Sequence, residues 1–195
     1  MALTLIKEDG TGRADANSYA AAADGDAYHD GHLYATAWTA ATQARKEAAL
    51  VMATRLIDSQ FHFNGSRTNE SQALQWPRAQ CPDPDRRSAG WGVRNAECVE
   101  PDVVPPAAVQ ATCEMARELL IVDRTAAAAG EGLDSVQTVH ATHAATGSGS
   151  SSDTSATKYS KVDTRPIISQ VARVMLAKFG SLVSGGSGAV RLVRT

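Results

Sequence analysis

The sequence predicts a mainly α protein: a small helical bundle of about four helices, with a projecting β-hairpin-like excursion and an extended C-terminal arm. Three observations lead there. Hydrophobic residues make up 43% of the chain and aromatics only 5%, and much of the apolar total is alanine, which suits closely packed helices better than a thick aromatic core. A helix-period apolar stripe runs through residues 43–60, and the period changes to two near residue 136. The Gly/Ser run 184–188 then separates a short terminal segment from everything before it. The expected organisation is a helical core over residues 1–130 containing a long loop at 62–104, a projecting hairpin with a Ser/Gly tip at 131–162, a helix packing back on the bundle at 163–180, and an arm at 181–195.

Residues 1–16 are polar and carry Gly10 and Gly12, and Asn17-Ser18 can cap an alanine-rich helix from Tyr19 to about Gly31. The second helix follows Thr42 and runs to about Gln60, with Ala49, Met52, Ala53, Leu56 and Ile57 forming a single buried stripe. Residues 79–103 are rich in Pro, Asp, Arg and Gly, and Cys81-Pro82-Asp83-Pro84-Asp85 suits neither a helix nor a central strand. Pro105-Pro106 opens a third helix with Val109, Cys113, Ala116 and Leu120 on one face and Gly130 as its stop.

Val136, Thr138, His140 and Thr142 alternate as in a strand, Gly147–Ser152 supplies a tip, and the returning segment is expected near Lys158–Val162. A lone two-stranded hairpin is marginal in water, so this one is expected to lean on a neighbour such as another copy. The last helix is expected from Thr164–Pro166 to Gly180, with Ile167, Val171, Val174, Met175 and Phe179 inward. Beyond the 184–188 hinge, Val190, Leu192 and Arg194 fall on one side of an extended strand and Arg191 and Val193 on the other, a pattern that can add to a partner's sheet edge.

Charge divides the chain. Residues 1–157 hold 12 Lys/Arg against 20 Asp/Glu, a balance of −8, and residues 158–195 hold 7 against 1, a balance of +6. A basic tail on an acidic body suggests that the tail, not the body, meets an acidic partner. Cys81, Cys98 and Cys113 are odd in number and irregular in spacing, which fits free thiols in a reducing cytoplasm. No apolar run approaches the ~20 residues that cross a bilayer, so no membrane partner is expected.

Candidate catalytic groups do not assemble, and neither an enzyme nor a cofactor is expected. His29 and His32 lie near Asp26 and Asp30 but straddle Gly31 at a helix end without a further ligand set. His140 and His143 have odd spacing in a strand and so point to opposite faces. The serines of 147–152 lack a nucleophile-elbow context, and no glycine loop precedes a phosphate-binding Lys. Asp83 and Asp85 sit with Arg86 and Arg87, where mutual neutralisation accounts for them.

The most specific stretch is Phe63–Arg78, which carries no chemistry. Gly65 marks a turn, and Pro77 stiffens the backbone that holds Trp76, with Arg67 and Arg78 close by in sequence. Trp with Arg is the composition of an interface anchor. Trp76 is therefore expected to brace the bundle and, with Arg67 and Arg78, to serve a contact with an adjacent subunit.

These residues also carry a resemblance. Glu8-Asp9-Gly10-Thr11-Gly12, Ala16-Asn17-Ser18-Tyr19, Arg45–Leu50, Gly65-Ser66-Arg67, Gln72–Arg78 and Val104-Pro105-Pro106 together resemble a tailed-phage family often labelled DnaT-like single-stranded DNA-binding proteins, found among structural genes where head-tail connectors are expected. The resemblance covers roughly residues 1–125, and its most specific piece is Gln72–Arg78. It implies a helical-bundle adaptor in a ring of probably twelve copies in the virion neck, assembled in the host cytoplasm. Double-stranded DNA would pass through the lumen without sequence-specific binding. It also implies an arm, here Val190, Arg191, Leu192, Val193 and Arg194, that grips the portal protein, and a face or loop that receives the next tail or neck protein. The competing expectation is the labelled one, single-stranded DNA binding, which calls for a positive groove with exposed aromatics.

Overall fold

The computed structural model describes residues 3–83, 85, 98–126, 135–142, 151–158 and 166–183. Two compact units are present, one formed by residues 1–123 with 168–195 and the other by residues 124–167. The first is helical and holds the core, as its alanine-rich composition predicts.

Helix α1 (Ala22–Asp30) starts three residues later than Asn17-Ser18 suggested. Asn17 is used elsewhere: its Oδ1 accepts the Ile6 N–H at 2.8 Å and its Nδ2 donates to the Thr4 carbonyl at 2.8 Å, tying the N-terminal strap to the body. The short α2 (Thr36–Thr39), not foreseen from the sequence, places Trp38 over α1. Gly25 makes this possible, since a Cβ there would stand 2.3 Å from the Trp38 ring. The indole Nε1 donates to Asp26 at 2.8 Å, and Lys46 pairs with the same carboxylate while standing 5.2 Å from the ring centroid.

Helix α3 (Gln43–Gln60) occupies the expected span. Its buried face is Ala49, Leu50, Ala53, Thr54 and Ile57, whereas Met52 is exposed and Leu56 half-buried. The stripe is thus rotated toward Leu50 and Thr54, because α3 packs on α4 while Thr54 Oγ1 receives the Tyr19 N–H from the N-terminal strap. Helix α4 (Pro106–Ile121) begins at the predicted prolines but ends well before Gly130. Ala108, Ala111, Cys113, Met115 and Ala116 are buried, so it is the central helix, packed on α3 and on α5. Val109 and Leu120, expected on its inward face, are only partly buried.

Helix α5 (Gln170–Leu176) is shorter than expected and turned by one position. Ser169 caps it by accepting the Ala172 N–H, and Ile168, Ala172 and Leu176 go inward. Val171 and Val174, predicted to be core, are 49% and 62% exposed. The small Ala172 faces the core, and the β-branched residues take the outer face. Phe179 is buried as expected, but Gly180 opens a strand rather than closing a helix.

The predicted long loop contains paired strands. Strand β1 (Phe61–Phe63) pairs antiparallel with β6 (Gly180–Leu182), in the register Phe61 with Leu182 and Phe63 with Gly180. Strand β2 (Ser66–Arg67) pairs antiparallel with β3 (Arg78–Ala79). In the second unit, β4 (Ser135–Thr142) and β5 (Ser151–Lys158) form an eight-pair antiparallel ribbon from Ser135 with Lys158 to Thr142 with Ser151. The returning strand therefore starts at Ser151, inside the run read as a tip, and ends where the return was expected to begin.

Candidate functional site

Part of the segment expected to form a contact surface is folded inward: Phe63, Gln72, Leu74, Trp76, Pro77 and Arg78 are buried, whereas residues 64–71 are exposed. Gly65 has φ +73°, and a Cβ there would lie 2.2 Å from the Ala79 carbonyl oxygen, so the turn admits glycine and brings β2 against β3. This sets Arg78 beneath a ring of carbonyls. Its Nε donates to Asn64 O at 2.8 Å, Nη2 to Gly65 O at 2.7 Å and Phe63 O at 3.2 Å, and Nη1 to the Gln75 carbonyl and side-chain oxygens at 3.1 and 3.0 Å. The guanidinium is a planar fork with five N–H donors, and it closes both ends of the segment at once.

Gln72 performs the same task on the other side. Its Oε1 accepts the Asn69 N–H at 2.9 Å, and its Nε2 donates to Leu74 O at 2.8 Å and Pro77 O at 3.1 Å. The Trp76-Pro77 peptide bond is cis. Trp76 is wholly buried, edge-on to Phe63 and Phe179 with ring centroids 5.6 and 5.8 Å away, and its Nε1 has no hydrogen-bond partner. That geometry favours aromatic pairs.

A second junction fastens the segment to the strap and to α3. Tyr19 Oη donates to Asp58 Oδ1 at 2.5 Å and accepts the Gln75 and Trp76 N–H groups at 3.1 and 3.2 Å, while Asp58 Oδ2 accepts the Gln75 N–H at 3.0 Å. Burial pushes the Asp58 carboxyl up to about 6, against the opposing pull of its Tyr19 and Gln75 bonds. Burial, followed by the nearby Asp58 charge, raises the Tyr19 phenol well above its ordinary value.

The N-terminal strap is held by a third inward group. Glu8 is buried, and its carboxylate accepts the N–H groups of Gly10 at 3.0 Å, Gly12 at 2.9 Å and Arg13 at 3.0 Å. Gly10 takes φ +100°, and a Cβ there would strike the Asp102 carbonyl.

Two of the three residues expected at a subunit contact thus lie inside the chain's own core. Trp76 is 0% and Arg78 6% exposed, because the aromatic cluster and the carbonyl ring that hold them are intramolecular. Arg67 is exposed, with Nη1 donating to Gln72 O at 3.3 Å. Val190, Arg191, Leu192, Val193 and Arg194 lie outside the described residues. Sequence reading missed Glu8, Tyr19, Asp58 and Gln72 as organising groups. An acid followed closely by two glycines was a usable signal for Glu8, since such turns aim several backbone N–H groups at one anion.

Among the described residues, no group of three or more His, Cys, Asp or Glu is placed to hold a metal ion. His29 is buried with Nε2 3.2 Å from the Cys113 carbonyl oxygen and Nδ1 unpartnered, and burial draws it below its ordinary pKa. His32 Nε2 stands 3.8 Å from Glu114, which pairs with Arg117. Burial pushes the Cys113 thiol up to about 12 and raises Cys81 as well, the opposite of an activated nucleophile. Among the described residues, no helix is long and apolar enough to cross a membrane.

Among the described residues, aromatic side chains are mostly used for packing. Tyr19, Trp38, Phe61, Phe63, Trp76 and Phe179 are buried, and Tyr28 is partly buried. Tyr34, at 76% exposure beside Leu33 at 90%, projects from the turn between α1 and α2.

The fold and the inward-turned motif define a mainly helical body braced by charged and amide side chains, with a two-stranded ribbon in a separate unit. The chain belongs to the family described as "Putative DnaT-like ssDNA binding protein", which matches residues 3–195. No curated protein and no solved structure matches it.

Proposed function

We propose that this protein is a non-enzymatic structural component of a tailed bacteriophage: a head-tail connector that forms a ring between portal and tail and gives the DNA its passage. The observation that carries the reading is the β4–β5 ribbon. Eight antiparallel pairs form a two-stranded element in a unit of its own, and such an element is marginal in water unless another surface supports it. Neighbouring copies in a ring supply that surface. The resemblance of residues 1–125 to proteins encoded among phage structural genes points the same way, and on this reading the protein resides in the virion neck after assembly in the host cytoplasm.

Single-stranded DNA binding is the second reading, and the family's own description favours it. Against it stand the balance of −8 over residues 1–157 and the burial of six aromatics that a stacking platform would expose. Two measurements separate the readings. Native mass spectrometry with electron microscopy of the purified chain is expected to find closed rings, and a persistent monomer that also fails to join portal preparations would overturn the connector reading. A labelled single-stranded oligonucleotide is expected to bind weakly at physiological salt. Submicromolar binding that falls steeply with added salt would instead establish the second reading.

A further inference from the structure

Two surface features of the helical body have opposite shapes and matching chemistry. The first is the turn that joins α1 to α2, where Leu33 is 90% and Tyr34 76% exposed. The turn is nevertheless pinned on both sides. The His32 N–H donates to the His29 carbonyl at 3.0 Å, His32 Nδ1 accepts the Tyr34 N–H at 3.0 Å, and Ala35, which follows, is buried. A leucine and a tyrosine therefore stand side by side on hydrogen-bonded backbone, with the Tyr34 ring edge-on to His32 at a centroid distance of 6.3 Å. Asp30, the last residue of α1, is exposed just before them.

The second feature is a groove of about 420 Å³ along α3, lined by Leu3, Ala48, Val51, Met52, Arg55 and Leu56. Val51 is its buried floor, Leu3 and Met52 are 45% and 36% exposed, and Arg55 stands as the one charge among apolar neighbours. The volume lies within the roughly 300–1,000 Å³ of pockets that take apolar groups, and the Met52 thioether adapts readily to an incoming side chain. Asp30 and Arg55 have no hydrogen-bond or ion-pair partner among the described residues, so each carries an unanswered charge of opposite sign. Leu33 and Tyr34 are exposed, so the chain's own groove does not receive them.

We propose that the two features meet in a head-to-tail contact between copies: Leu33 and Tyr34 of one copy enter the α3 groove of the next, and Asp30 of the first pairs with Arg55 of the second. The leucine and tyrosine gain from leaving water, and the guanidinium at the groove is attracted to the face of the tyrosine ring. The opposite charges of Asp30 and Arg55 fix the register. Knob and groove share no residue, so the contact is heterologous: each copy gives its knob to one neighbour and its groove to the other. Contacts of this kind close into a ring when the rotation between copies divides a full turn, and otherwise build open chains. The contact rests on the reading of the protein as a ring component and names the surfaces that would join that ring.

The test is native mass spectrometry of full-length variants, alone and mixed. Leu33→Ser/Tyr34→Ser removes the knob, and Ala48→Glu/Met52→Glu fills and charges the groove, all four positions being exposed. Each variant alone is expected to associate about tenfold or more weakly than the wild type, with its circular dichroism unchanged. Mixed one to one, the variants keep one intact knob and one intact groove between them, so 1:1 heterodimers form and growth stops there. Asp30→Arg and Arg55→Asp should each weaken association, and the exchange of both in one chain should restore it. Rings that both variants still form overturn the contact and leave the ring reading standing, and a mixture without heterodimers or an exchange that restores nothing likewise overturns the contact. Open wild-type chains that both variants abolish, with a mixture that stops at 1:1, uphold the contact and overturn the ring. A wild type that is monomeric at every concentration overturns the contact, whatever it does with portal preparations.

Discussion

From Phe63 to Arg78 the side chains of Gln72 and Arg78 end on the chain's own carbonyls, and Trp76 fills its own core, so side-chain identity fixes the path of the backbone. Strands β4 and β5 are joined in another way, by a regular eight-pair backbone ladder that any residue with an N–H and a C=O can form. The first region is intolerant of change for reasons of shape. A motif can therefore be the most recognisable part of a chain and still owe its key residues to the chain's own fold.

The contrast can be broken most severely at Trp76. Trp76→Ala removes a fully buried indole between Phe63 and Phe179 and is expected to cost about 3–5 kcal/mol, a large share of a single domain's stability. Denaturant titration measures this directly. A variant that kept full stability yet failed to self-associate would return Trp76 to the surface role expected from sequence.

A smaller effect, with a distinctive pH signature, is expected at Asp58. Its carboxyl sits at about 6 in the folded state, above the ordinary 3.8, so the folded chain holds this proton more tightly than the unfolded chain. The corresponding contribution to stability is fully present below about pH 4 and is lost as pH rises through 6. Asp58→Asn should abolish this part of the pH dependence. The check is the difference between the two melting curves from pH 4 to 7, because Asp9, Asp15 and Asp26, held low by hydrogen bonds from Thr11, Arg13 and Lys46, tilt the total the other way.

The least perturbing change to the helical body is expected to be removal of the ribbon. Replacing residues 135–158 by a short Gly/Ser linker should shift the body's melting temperature by only a few degrees, since a loop-length change costs on the order of 0.6 kcal/mol per doubling. On the proposed function, ring formation is lost in the same variant. A collapse of the body's stability would show instead that the two regions are not energetically separate.

The sequence made α3 and the start of α4 readable because capping position, prolines and apolar period agree there. It misjudged α5, where Val171 and Val174 offered a plausible stripe but Ala172 and Leu176 were the residues that let the helix approach α4. The pairing of β1 with β6 was not readable, since three-residue strands at distant points of the chain carry almost no local signal. Arg78 shows the same limit in the site. An arginine near a tryptophan reads equally well as an exposed anchor or as an internal clamp, and the carbonyls that decide between them are brought together only by the Gly65 turn.

The β1–β6 pair also sets a mechanical route through the molecule. Residues beyond Val183 join the body through β6, and the first bond that tension on them would load is Val183 N–H to the carbonyl of Gln60, 2.7 Å long and placed on the last residue of α3. Behind it come the three β1–β6 pairs and the aromatic packing of Phe179 on Trp76. A pull on the C-terminal end would thus be delivered to α3 and to the buried aromatic cluster together.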